Sequence, residues 1–137
     1  MTRRMSVSMT LPAVHTRSKT VTRRHVDTWK NLKPGDRLTL IEKGMGLPEG
    51  AKQVVVAEVE VVGVTVEPIG MVTPTEVRRE GMWGQAIAAT QGTTTSTAEW
   101  FIRFWLQGHR YPNLHPEIAA DVLCRRIEWR YLDEVAS

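Results

Sequence analysis

Apolar and polar residues alternate over Met5-Ser-Val-Ser-Met-Thr-Leu11, which predicts a half-buried strand. Pro12 then opens a short segment, Ala13 to Arg17, with room for one or two helical turns. The turn signal Pro34-Gly35-Asp36 leads into a second strand, Arg37 to Glu42. Lys43 to Lys52 contains Gly44, Gly46, Pro48 and Gly50 and reads as a hairpin loop. The longest strand region covers 53–66. There Glu58 and Glu60 alternate with Val59 and Val61, after which the apolar parity passes to Val62, Val64 and Val66. The switch lies beside Gly63 and predicts a bulge or sharp bend. Such a long strand suits one that bends around a barrel.

Thr73-Pro74-Thr75-Glu76 has the signature of a helix start, with Thr73 as cap and Glu76 at capping-box spacing. Gly81 ends that helix after about two turns. A longer helix runs from about Thr97 to Gln107, with Ser96 and Glu99 at capping-box spacing and Gly108 as the stop. Trp100, Phe101, Phe104 and Trp105 give it one aromatic face, the spacing of a packed helix. The Thr/Gly/Ser-rich connection from Thr90 to Thr97 is predicted to be mobile. Near the end, Ile127, Trp129 and Tyr131 alternate with Arg126, Glu128 and Arg130, the clearest strand of the chain. Few helices cross over between strands, which argues against a doubly wound parallel sheet. The order predicts one α+β domain over 1–137: a small mixed or antiparallel β-barrel with short helices packed at its side and mouth.

Composition adds little to this picture, but charge adds something. The 137 residues are 42% hydrophobic and 24% charged, enough for a real core without staples. The lone cysteine, Cys124, excludes an internal disulfide framework and points to a reducing, cytoplasmic setting. No run is apolar enough for a signal peptide or a membrane span. Net charge is +3, yet residues 1–37 hold nine Lys and Arg against Asp27 and Asp36. That basic face either meets a polyanion or an anionic small molecule, or is merely solvated.

The chemistry concentrates in His15-Thr-Arg-Ser-Lys-Thr-Val-Thr-Arg-Arg24, which puts Lys19, Thr20, Thr22, Arg23 and Arg24 together. If the segment is extended, residues 20, 22 and 24 share one side. Such a cluster can bind phosphate or a carbonyl oxygen, and with a carboxylate brought in it can cut an amide. His15, His25, His109 and His115 have no metal-ligand spacing with Cys124, so no metal and no cofactor is expected. Gly44, Gly46 and Gly50 lack the context of a phosphate loop. Trp29, Trp83 and Tyr111 are candidates to stack on a base. Trp83 leads them, because it lies between Gly81 and Gly84 just after Glu80.

Lys19-Thr-Val-Thr-Arg-Arg24, then Trp29, then Leu32-Lys-Pro-Gly-Asp-Arg-Leu38 resembles the opening of an ASCH domain, one of the PUA-like barrels. The family signature is glycine, any residue, lysine, two residues, threonine, one residue, arginine. Lys19, Thr22 and Arg24 fill three of its fixed positions, and Arg17 stands where the glycine belongs. Glu80-Gly81 after the long strand and the closing strand from Arg126 to Leu132 fit the same pattern. Against it, the region of about 84–115 is a helical elaboration. The resemblance implies an RNA- or nucleoside-binding cleft, with Thr20, Arg23, Arg24 and Trp83 among the ligand contacts. The alternative it implies is a metal-free amidohydrolase acting on a cytidine acylated at its exocyclic nitrogen. Its working group is then Lys19, Thr22 and Glu80, with either Lys19 or Glu80 as the base. A third reading is a protein–protein module using the aromatic helix.

Overall fold

The computed structural model of the protein describes residues 2–44, 46–111, 114 and 116–133. Five strands form one mixed sheet, in the order β1 (Arg3–Ser6), β3 (Arg37–Ile41), β4 (Val55–Pro68), β5 (Leu123–Tyr131), β2 (Val21–His25). The pair β1·β3 is parallel and the other pairs are antiparallel. The sheet curls into a half-barrel whose two edges are β1 and β2. Strand β4 spans 14 residues because it serves both neighbours, β3 and the whole of β5. Its register against β5 shifts between Val61 and Gly63, the bulge that the change of apolar parity predicts.

The first strand is shorter than the alternation over 5–11 suggests. Val7 N–H still bonds to Ile41 O at 2.9 Å, but Thr10 N–H turns back to Val7 O at 3.0 Å. A 3-10 turn over Ser8–Thr10 then leads into α1 (Leu11–His15). A continued strand would bury Met9 beside Val7; instead Met9 is 60% exposed. The helix α2 (Pro74–Arg79) starts as predicted, with Glu76 N–H bonded to Thr73 Oγ1 at 3.3 Å. In α4 (Thr97–Gly108) Ser96 Oγ likewise accepts from Glu99 N–H at 3.1 Å.

Two short helices were not expected, α3 (Trp83–Thr90) and α5 (Pro116–Ala119). The connection before α4 lies between Thr90 and Thr97, where it was expected. It is also tied down: Thr93 N–H and Oγ1 both donate to Thr90 O, at 3.0 and 2.8 Å.

Two cores flank the sheet. Inside the curl, Met5, Leu38, Leu40, Val59, Val61, Ile127, Trp129 and Tyr131 pack together. Behind it, Ile69, Val77, Met82, Ala86, Phe101, Trp105, Leu106 and Cys124 join α2, α3 and α4 to the sheet. Alternation along β5 sends Ile127, Trp129 and Tyr131 to the first and Cys124 to the second.

Candidate active site

The site is built on β2, and a left-handed turn delivers the chain to it. Arg17 has φ 64°, a conformation that favours glycine, and it occupies the glycine position of the signature. Its guanidinium offsets the strain with contacts that glycine lacks. It donates to Val14 O at 2.7 Å, pairs with Asp133 and lies 5.0 Å from the Tyr131 ring. Two residues on, Lys19 is clamped by its backbone. Its N–H donates to Ala13 O at 3.1 Å, and its carbonyl accepts from Trp129 Nε1 at 3.1 Å and from the Tyr131 hydroxyl.

The Lys19 side chain is buried, at 3% exposure. Its ammonium donates to Val21 O at 2.9 Å, Glu80 O at 2.7 Å and Glu80 Oε1 at 3.4 Å. A cation thus caps the C-terminal end of α2, where the helix dipole favours positive charge. Glu80 is buried as well, at 4% exposure. Its other carboxylate oxygen accepts from Arg23 Nη1 at 3.0 Å. Arg23 Nη2 reaches Glu76 Oε1 at 2.6 Å, which Arg126 Nε also meets at 2.6 Å. Gly81 makes this packing possible. It has φ +80°, and a β-carbon there would lie 2.6 Å from the Ala13 β-carbon and 3.1 Å from that of Lys19.

A cavity of about 230 Å³ opens over this cluster, between β2, the Ser6–Thr10 segment and α4. Lys19, Thr22, Arg23, Arg24 and Glu80 all line it. Because β2 is an edge strand, residues from both of its faces reach the space. Thr22 pairs with Ile127 and shares its face, while Arg23 pairs with Arg126 on the other. Arg24 Nη2 donates to Ser6 O at 2.9 Å, a side-chain bridge between the two edges of the half-barrel. The Thr22 hydroxyl has no hydrogen-bond partner among the described residues.

Two predicted contacts lie elsewhere. Thr20 Oγ1 accepts from Arg79 Nε at 3.2 Å, away from the cavity lining. Trp83 packs against the second core and is covered by the Arg78 guanidinium, 3.8 Å from its ring centroid. The aromatic wall comes instead from α4, through Phe101, Phe104 and Trp105, with His109 at its end. Trp105 Nε1 donates to Arg23 O at 3.1 Å, which seats the helix on the free edge of β2. The aromatic face of that helix was legible in the sequence, but its meeting with β2 was not. His115 and part of the 84–115 elaboration lie outside the described residues. A larger cavity, about 320 Å³, lies between α4 and α5 and contains no member of this cluster.

Burial pushes the Lys19 pKa down from 10.5 to about 8; Glu80 opposes the shift, and Arg24 and Arg23 add to it. Near neutral pH, then, a usable fraction of Lys19 is uncharged. Burial also lowers the pKa of His109. On the far side of β2, Glu76 is held down at about 2 by hydrogen bonds from Arg126 and Arg23, which outweigh its desolvation. Among the described residues, no three His, Cys, Asp or Glu side chains gather as a metal site. No helix there is long and apolar enough to cross a membrane.

No family model and no curated protein matches the sequence. Solved structures do match. One, with a TM-score of 0.58, is the ASCH domain from Lactobacillus crispatus, at 11% identity over 95% of this chain and 79% of that one. The chain has the ASCH fold. A second neighbour, the DUF984 protein EF3133 from Enterococcus faecalis, has a TM-score of 0.54 at 15% identity, over 95% of this chain and 74% of that one. The hypothetical protein PH0355 follows at 0.50 and 17%, over 96% and 100%. At these identities the likeness establishes the fold alone. The residues that fill the ASCH cleft therefore speak for themselves.

Proposed function

We propose that the cleft belongs to an amidohydrolase that removes an acyl group from the exocyclic nitrogen of a nucleobase-like heterocycle. An acylated cytidine is the substrate that the ASCH resemblance suggests. The observation that carries this reading is the buried contact between the Lys19 ammonium and the Glu80 carboxylate, 3.4 Å, in the cavity that also holds Thr22. The cavity is smaller than the roughly 300 Å³ at which drug-sized sites begin, so a single ring with a small acyl group suits it. An aromatic wall faces that ring across the polar cluster.

The geometry also supports an assignment of the base. As a proton acceptor the Glu80 carboxylate competes with two cations that already hold it, Lys19 and Arg23. Lys19, brought to about pKa 8 mainly by burial, is the better one. In the proposed reaction the Thr22 hydroxyl passes its proton to neutral Lys19 through a water in the cavity as Oγ1 attacks the amide carbon. Arg24 stabilises the oxyanion. Lys19 then returns the proton to the departing amine as the C–N bond breaks. Water hydrolyses the acyl-threonine, releasing a carboxylate and restoring the hydroxyl.

A second reading, binding of RNA or a nucleoside-like ligand without chemistry, is favoured by one observation. All three protons of the charged Lys19 are already engaged. With Arg23 tied to Glu80 and Glu76, Arg24 is then the cation most open to a ligand.

The test is incubation of the purified protein with N4-acetylcytidine, followed by chromatography for cytidine. Wild type is expected to turn over, and Thr22→Val and Lys19→Met to lose at least about a hundredfold in rate. A folded wild type that hydrolyses no acylated cytidine, yet binds cytidine or RNA, would establish the second reading instead.

A further inference from the structure

His109 ends α4 with its ring stacked on Trp105, centroids 4.0 Å apart and planes 21° apart. Its Nδ1 lies 2.8 Å from Trp105 O. A carbonyl only accepts, so Nδ1 carries the proton. Burial favours the neutral ring, with Arg24 and His25 adding to the effect. Nε2 therefore keeps its lone pair. No described residue occupies that nitrogen, and the ring lines the cavity beside Phe104 and Arg24. His25 offers a contrast: its Nε2 is taken by the Tyr111 hydroxyl at 2.9 Å, and it lies outside the cavity.

The rest of the polar lining is rich in donors. Arg24 only donates, and each oxygen of the Glu80 carboxylate already accepts from a cation, Lys19 or Arg23. The Ser and Thr hydroxyls can turn either way. Nε2 is thus a neutral acceptor without a partner among the described residues, set at the edge of an aromatic wall.

We infer that His109 is a specificity-determining residue, its Nε2 accepting a hydrogen bond from an N–H group of a heterocycle packed against α4. The inference rests on the reading of the cleft as a site for nucleobase-like ligands, and it selects among them. Rings with an N–H on the exocyclic nitrogen are admitted; rings with that nitrogen fully substituted are discriminated against.

Equilibrium binding of cytidine, N4-methylcytidine and N4,N4-dimethylcytidine tests it without any turnover. Wild type should bind the first two about three- to tenfold tighter than the third, the worth of one neutral hydrogen bond. In His109→Phe, which keeps a ring on Trp105, the preference should vanish. His109→Gln, which restores an acceptor, should recover part of it. The 15N resonance of Nε2 should shift with cytidine and not with the dimethyl compound. A purely structural role would weaken all three ligands equally and overturn the inference. Equal binding of the three by wild type overturns it too, even if N4-acetylcytidine is hydrolysed. A His109-dependent preference without hydrolysis sinks the catalytic proposal and upholds this one. If none of the three binds, this inference falls, and hydrolysis of N4-acetylcytidine decides the catalytic proposal separately.

Discussion

Raising the pH from 7 to 9 should stabilise the folded protein, through Lys19. Its pKa is lowered to about 8 in the folded state, against 10.5 for an ordinary lysine. The unfolded chain then binds more protons than the native one above pH 8, so stability increases with pH across that window. At pH 7 the buried ammonium costs the fold about 3 kcal/mol relative to an unperturbed lysine. Integration between pH 7 and 9 returns about 1 kcal/mol of that. Cys124 works in the opposite direction. Burial lifts its thiol from 9.0 to about 11, so its contribution is lost as pH rises past 9. Over the same interval this removes less than half as much. Urea titrations of wild type and Lys19→Met at pH 7, 8 and 9 isolate the lysine, because the cysteine cancels in the difference. Wild type should gain about 1 kcal/mol relative to the variant. Parallel pH dependences of the two proteins would refute the reasoning, and with it the assignment of Lys19 as a poised base.

Other outcomes follow from the same geometry. If Lys19 is the base, kcat/KM for N4-acetylcytidine should rise through an apparent pKa near 8; a profile without that rise would refute the assignment. Gly81→Ala forces a β-carbon against Ala13 in a left-handed backbone, and should destabilise by about 2 kcal/mol or more in urea unfolding. Arg23→Met leaves Glu80 and Glu76 short of a partner on one side of β2, and should destabilise by about 3–5 kcal/mol in the same assay. Gly63→Ala meets nothing within 4 Å at the bulge, so its change should stay within about 1 kcal/mol.

The sequence by itself determined the features whose causes are local. Thr73 and Ser96 cap their helices because the acceptor and the orphan N–H are three residues apart. The β4 bulge is legible at Gly63 because a one-residue slip must move the apolar set to the other face. The signature at Lys19, Thr22 and Arg24 is equally local, but the left-handed turn before it is seen only in the structure, because arginine stands at position 17 where the pattern has glycine.

Elsewhere local signals failed. The alternation over 5–11 was broken by a turn between Val7 and Thr10, and α3 follows Met82, an N-cap with no side-chain hydrogen bond to announce it. Trp83 was read as a cleft residue from its place beside glycines, and its ring is covered by Arg78, five residues earlier in α2. What only the tertiary structure decided is the meeting of distant parts. Glu80 reaches Lys19 and Arg23 across about sixty positions of chain. Trp105, read from its spacing as core, also holds α4 on the free edge of β2. Lys19 is an ordinary lysine in the sequence. Its poise comes from burial at the seam of the half-barrel, and desolvation depends on everything that packs around a charge rather than on its neighbours in the chain.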